Sequence, residues 1–492
     1  MALALSDVRL IVQRVCTRPD VLEACRQHDI GFVVETLGKN KPKVTQGQIA
    51  ALTGISQGRL SEYMNHRRTP EKAQIFLDFA DGLCMPAVAR QALGLVPSQS
   101  ATAGRSIVPA MREPPDDTGL AYPETTDEAA ANVTRLWQVD LADPTELTRG
   151  RIDPARWNDA SLRWLVDPAS QLTEPANGVH IGTPDVARFR ATVEMFQRLD
   201  DQYGGGHARQ ALIQYLQIDA ERLLQGRYTD GVGAAIFASV AEASLLAAWM
   251  TYDAAPASRL AQKYFIQALR LAQAGNDRLL GASILDAMSH QATYTGRFRE
   301  AANLARAART GTCGIATATQ TSHFHAMEAR ALARLGDAKA CGHALAEAAR
   351  QFERRNPEAD PQWIRYFNEA ELAAEFSHCM RDLGRATDAT QYASSSIEAI
   401  NEDMFMRSDF FAAMVLADAH LAAGELEQAC RITLKALTAG EQIRSARCVR
   451  YLREFHQHLA HVGNATAVTD FHTQARGSRL WRIATRPDKR ED

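Results

Sequence analysis

Small and apolar residues recur along the second half of the chain at fixed offsets from turn glycines. Aligned on Gly296, Gly336, Gly384 and Gly424, the residue seven before is Ser289, Ala329, Ser377 or Ala417. Five after come Ala301, Cys341, Ala389 and Ala429, and twelve after come Ala308, Ala348, Ser396 and Ala436. Pro256 takes the glycine slot one unit earlier, followed by Ala261 and Ala268, so the anchors at 256, 296, 336, 384 and 424 step by 40, 40, 48 and 40 residues. Small residues on both sides of a turn let antiparallel helices approach closely within and between units, which predicts a stacked array of helix pairs over about 240–445. Gly226 with Gly231 and Ala238 fits a degenerate first unit, and Gly463, which lacks the small partner at His456, fits a terminal cap.

Near the N-terminus the pattern is that of short capped helices. Thr45 followed by Gln48 predicts a capping-box start, Gly54 a left-handed stop, and Ser56 the cap of a second helix. Ile49, Ala50, Ile55, Leu60 and Met64 would pack the two together, and Thr69 with Pro70 would open a third helix through Phe76, Phe79 and Leu83. Gln57, Gly58, Arg59, Ser61, Glu62 and Asn65 are then left outside, toward the start of the second helix. Residues 1–27 predict an extra helix with a packing role. The organisation expected is all-α: an N-terminal helix (1–27), a helix-turn-helix domain (28–96), a Pro/Ser/Thr/Gly-rich linker (97–127), a connecting segment with Trp137, Trp157 and Trp164 (128–182), the repeat domain (183–478) and a tail (479–492).

Charge changes this picture at one end. The whole chain of 492 residues carries a net −3, yet residues 1–95 hold 12 Lys/Arg against 9 Asp/Glu, and the rest 43 against 49. A small basic head on an acidic body is an electrostatic footprint for nucleic acid. Gln57 would pair with adenine and Arg59 with guanine in the major groove, with Ser61 and Asn65 on the same outer side. Lys43, Gln46, Arg67 and Arg68 would meet phosphates. Two copies on a roughly palindromic duplex operator would raise affinity and specificity, so a homodimer is expected. No apolar run of membrane-crossing length and no export signal is read, so a cytoplasmic protein with no membrane partner is expected. Eight cysteines without a C-x-x-C pair signal neither a disulfide framework nor a zinc site.

With Gln46, Ala50, Gly54, Ser56-Gln57 and Leu60 at their spacing, residues 28–96 resemble the Xre (lambda-repressor-like) family of bacterial transcription regulators; Gly58 replaces the polar residue usual there. The array over 240–445 resembles tetratricopeptide repeats, with a period longer than the usual 34. The resemblance of the combination implies a one-component switch, in which a peptide or small-molecule effector in the concave face of the repeat domain alters DNA affinity. A protein-interaction scaffold without specific DNA recognition is the alternative.

Other constellations carry less. The stretch DDQYGGGHARQAL at 200–212 has no Lys-Ser/Thr after its glycines and reads as a flexible break between helices rather than a phosphate loop. His456, His458 and His461, and His323 with His325, lack the spacing of metal ligands. No catalytic constellation is present, so no enzyme, cofactor or metal is expected. The most site-like part of the body is DPQWIRYFNEAEL at 360–372, where Trp363, Tyr366 and Asn368 either hold a peptide effector or, the favoured reading for any one of them, pack between helices; Arg407 either binds the effector's carboxylate or satisfies a helix end.

Overall fold

The computed structural model describes residues 14–41, 43–70, 73–83, 119–147, 150–167, 178–399, 406–462 and 465–486, with scattered positions at 8, 11, 12, 85, 86, 89, 92 and 93. The part of the expected linker from 97 to 118 lies outside the described residues. Those residues are all-helical apart from loops and one isolated bridge, His180 to Arg227. The chain divides into two compact units, Met1–Ala110 and Met111–Asp492.

The first unit contains α1 (Pro19–Arg26), α2 (Ile30–Lys39), α3 (Gln46–Thr53), α4 (Gln57–Met64) and α5 (Ala73–Gly82). Asp29, Thr45 and Ser56 each accept a backbone N–H in the first turn of the helix they open, an interaction typically contributing about 1 kcal/mol. The Thr45–Gln48 box is closed in both directions, and Gly54 ends α3 at φ +69°. Thr69 and Pro70 lie outside regular secondary structure ahead of the first described turn of α5, and 71–72 fall outside the described residues. Val12, Val15, Val21 and Cys25 share one core with Val33, Leu37, Ile49, Leu60 and Phe79, so the N-terminal segment is part of this unit and not an appendage. Tyr63, not Met64, is the second inward residue of α4: Tyr63 is buried and Met64 only half-buried. The reason is close approach, since a Cβ on Gly31 of α2 would stand 2.3 Å from the Tyr63 carbonyl oxygen.

In the second unit, five antiparallel pairs follow one another: α11 (Asp230–Ala254) with α12 (Arg259–Ala274), α13 (Arg278–Tyr294) with α14 (Phe298–Gly311), α15 (Ala318–Arg334) with α16 (Ala338–Phe352), α17 (Glu369–Asp382) with α18 (Ala386–Glu398), and α19 (Met406–Ala422) with α20 (Leu426–Ala439). Ahead of them stand α6 (Thr126–Ala142), α7 (Pro154–Val166), α8 (Thr183–Tyr203), α9 (Arg209–Tyr215) and α10 (Glu221–Leu224), the last two joined by a π-turn, Leu216–Ala220. Behind them stand α21 (Ala446–Ala460), α22 (Thr466–Ala475) and α23 (Arg479–Ala484). The anchor glycines share one conformation, φ +79°, +75°, +73° and +82°. After each, the next N–H donates to the carbonyl five residues back, the 6→1 bond of a Schellman turn: Arg297 to Ala292, Asp337 to Leu332, Arg385 to Met380, Glu425 to His420. Every small residue at the three offsets is buried. The 48-residue step is an insertion between α16 and α17, residues 353–368, with a 3-10 turn at Gln362–Ile364.

Two boundaries and one hydropathy reading differ from the sequence expectation. Residues 119–127 are packed, not linker: Gly119 and Ala121 carbonyls accept from Gln267 Nε2, and the Pro123 carbonyl from Arg270 Nε at 2.7 Å. The polar outer face of α12 is buried, so it needs partners, and 119–167 supplies them, including Glu146 on Lys263 at 2.6 Å. Trp137, Trp157 and Trp164 anchor this cover with no exposed surface. The expected tail begins with α23, whose Leu480 and Trp481 are buried in the C-terminal core. Finally, α11 does have the length and apolarity of a membrane span, with mean hydropathy 1.7. About two thirds (67%) of that window is buried among the other helices, as in the core helix of a helical array.

Candidate nucleic-acid interface and inner polar network

Packing of α4 decides what its outer face presents. Leu60 and Tyr63 point into the core, which leaves Gln57, Gly58, Arg59 and Glu62 exposed at its first two turns. Gln57 reaches back over the start of α3, its Nε2 2.7 Å from where a Gly47 Cβ would be, so the exposed amide lies against the first turn of that helix. Nothing lies within 4 Å of a Cβ built on Gly58, an open position between Gln57 and Arg59. Lys43, Arg59 and Arg67 are exposed and have no carboxylate at ion-pair distance among the described residues, whereas Arg68 stands 3.7 Å from Glu62. Gln46 is half-buried with its amide on Met64 Sδ, and Asn65 caps its own helix by donating to the Ser61 carbonyl at 2.8 Å. The eight expected residues therefore lie on or beside one helix pair, but Gln46 and Asn65 already serve the fold.

On the inner side of the second unit, α11, α13, α15, α17, α19 and α21 run beside one another, and α21 returns to α11. Asp253 of α11 is fully buried and gathers Gly205 N (2.9 Å), Ser445 Oγ (2.8 Å), Arg447 Nε (2.7 Å) and Arg407 Nη1 (3.5 Å). Burial alone would raise this carboxyl; the guanidiniums of Arg447 and Arg407 and the Gly205 N–H outweigh it and hold it below the ordinary value. Arg407 is also bonded by both terminal nitrogens to Asp200 of α8 at 3.1 Å. Its expected role as a receptor for an effector carboxylate is thus overturned, since two acids of the chain already occupy it. The glycines at 204–206 are likewise no flexible break: Gly206 N donates to the Arg444 carbonyl at 3.0 Å, and a Cβ on Gly205 would meet the Met250 oxygen at 2.5 Å.

The insertion at 353–368 brings its aromatic residues to this inner side. Trp363 is half-buried against the core and Asn368 caps α17 by accepting from Glu371 N, so both have structural roles. Tyr366 differs, being 40% exposed with its hydroxyl 3.2 Å from His323 Nε2. His323 Nδ1 in turn is hydrogen-bonded to Asp286, whose carboxylate raises the imidazole against the opposing effect of burial. Sequence reasoning considered His323 only as a metal ligand and missed Asp286; the signal available was the 48-residue step, whose insertion brings Tyr366 onto His323. Among the described residues no cluster of three or more metal-ligating side chains is present. A cleft of about 510 Å³ lies at the turns between helices, lined by Arg151, Pro256, Ser258 and Arg297.

The chain matches no family model and no curated protein. Its functional reading therefore rests on these two surfaces: an exposed, capped, basic helix start in one unit, and in the other an inner side built from charged and aromatic residues.

Proposed function

We propose that the protein is a sequence-specific, double-stranded-DNA-binding transcription regulator that acts as a homodimer in the cytoplasm, with its helix array as the receptor for an effector. The single observation supporting it is the start of α4: Gln57, Gly58 and Arg59 exposed together on a helix locked by Leu60 and Tyr63, with Lys43 and Arg67, which have no ion-pair partner among the described residues, beside it. That arrangement suits insertion of the helix N-terminus into a major groove, where a good bidentate pair discriminates by about 1–3 kcal/mol. The bare Gly58 lets a base or sugar edge come close between the two readers. Catalysis has no part in the reading, and no cofactor is needed for it.

The test is selection of binding sites from a random duplex pool with the purified chain, beside a Gln57→Ala/Arg59→Ala variant. An inverted-repeat motif enriched by the native chain and lost by the variant supports the reading and the dimer. Enrichment indifferent to the substitutions, or none with and without cell extract, sinks it and leaves a protein-interaction scaffold.

A further inference from the structure

We propose that the groove framed by α14, α15 and α16 is a binding site for a phosphate group, free or carried as a phosphate monoester, held by Arg306 and Arg309 together with His325 and His343. None of these residues belongs to the inner polar network or to the first unit, and the site needs no part of the regulator reading.

Three helices deliver the groups at helical spacing. Arg306 and Arg309 stand three apart on α14, His325 and Glu328 three apart on α15, and Ala340 and His343 three apart on α16, so each pair shares one face of its helix. Helix α15 packs against both of the others. Together these residues line a cavity of about 270 Å³. That is just below the roughly 300–1,000 Å³ of pockets for drug-sized ligands, so the groove takes a small group.

Glu328 positions the two guanidiniums. One of its oxygens accepts from Arg306 Nε at 2.6 Å and the other from Arg309 Nη2 at 3.3 Å. Both carboxylate oxygens are used, yet each guanidinium keeps donors to spare. Arg309 Nε is buried with no hydrogen-bond partner. Among the described residues the terminal nitrogens of Arg306, Arg309 Nη1 and the rings of His325 and His343 make no hydrogen bond either. A buried N–H without an acceptor is costly, and an oxyanion in the groove is what would satisfy it.

Charge agrees with this geometry. Two guanidiniums against one carboxylate leave the groove one positive charge in surplus, with no second acid among the residues that line it. The inner clasp differs: there Arg407 and Arg447 are balanced by Asp200 and Asp253. Burial, and after it the Arg309 charge, push His325 down to about 4 against the pull of Glu328, with His343 and Arg350 acting in the same direction as Arg309. At neutral pH the His325 imidazole is therefore uncharged and has one N–H to donate. A planar carboxylate is met by a single guanidinium fork, whereas a tetrahedral phosphate can accept from all three helices at once.

Calorimetric titration of the full chain at about pH 7.5, where a phosphate monoester is mostly dianionic, tests the proposal with inorganic phosphate, methyl phosphate and, as the planar control, acetate. Saturable binding of at least one phosphate with a Kd below about 1 mM is expected, and none of acetate in that range. Tighter binding of methyl phosphate supports a phosphorylated small molecule as the occupant; equal or tighter binding of inorganic phosphate supports the free ion. Arg309→Gln should weaken binding about tenfold or more, and Ala340→Leu, which fills the groove without altering a charge, should abolish it. Glu328 keeps Arg306 as a partner in Arg309→Gln, so this variant should melt close to the native chain, which separates lost binding from lost fold. Lys43→Gln with Arg67→Gln should leave phosphate binding unchanged. No saturable phosphate binding, equal binding of acetate, binding unmoved by both Arg309→Gln and Ala340→Leu, or binding lost with Lys43→Gln and Arg67→Gln overturns the proposal.

Discussion

Replacing Asp253 by asparagine keeps the shape of a side chain that ties the first helix pair to the glycine turn after α8, to α19 and to α21, and removes its charge. Arg447 then sits buried with no carboxylate partner, while Arg407 keeps Asp200. Breaking one side of a buried ion pair costs about 3–5 kcal/mol, because the remaining charge stays desolvated and uncompensated. With an unfolding entropy of roughly 2 cal/mol/K per residue, a unit spanning Met111–Asp492 should lose about 5 °C in melting temperature. The assay is urea unfolding of native chain, Asp253→Asn, Arg447→Met and the double variant. The double variant should be more stable than the sum of the single losses predicts, since it leaves no orphan charge. The pH dependence has a definite sign. The folded Asp253 carboxyl is held below its unfolded value, so its contribution is full above about pH 4 and fades as pH falls through the lower folded value. Acid unfolding should therefore be shallower in Asp253→Asn. A loss under about 1 kcal/mol, or strictly additive single losses, would refute the clasp as a source of stability.

Three other outcomes are expected. His325 is pushed down to about 4 by burial, with help from the Arg309 charge, so stability should fall by up to about 3 kcal/mol as pH drops from 6.5 to 4, and His325→Gln should flatten that slope in pH-dependent unfolding. Gly311→Ala gains about 1 kcal/mol in helix propensity but places its Cβ 2.2 Å from Trp164 Cζ3; net destabilisation of up to about 2 kcal/mol, read by denaturation and near-ultraviolet dichroism, is expected, and a stabilised variant would show that Trp164 yields. Lys43→Gln with Arg67→Gln should reduce the slope of log affinity against log salt by nearly one for each cation lost, while the selected DNA sequence stays the same.

Local signals were legible wherever backbone geometry alone decides the outcome. Thr45, Gln48, Gly54 and Ser56 specify caps and a left-handed turn that depend on residues at most four apart. The anchor glycines did the same for the repeats through their left-handed backbone, and the small residues around them through their burial between packed helices. What could not be read was pairing over long separations. Arg407 stands among apolar residues in sequence, and only the fold sets Asp200 and Asp253 against it, 207 and 154 positions away. Tyr366 and Asn368 looked alike as site residues until the fold made one a helix cap and left the other on a solvent-facing edge beside His323.

The sequence by itself determined that the protein is helical, where its turns fall, and that a basic, polar helix start follows Ser56, since capping, periodicity and residue size act over a few positions. Only the tertiary structure decided which buried charges are quenched and which are left without a partner, because that depends on which helices meet across the inner side of the array. Coulombic attraction and desolvation act through space, and no spacing along the chain encodes them.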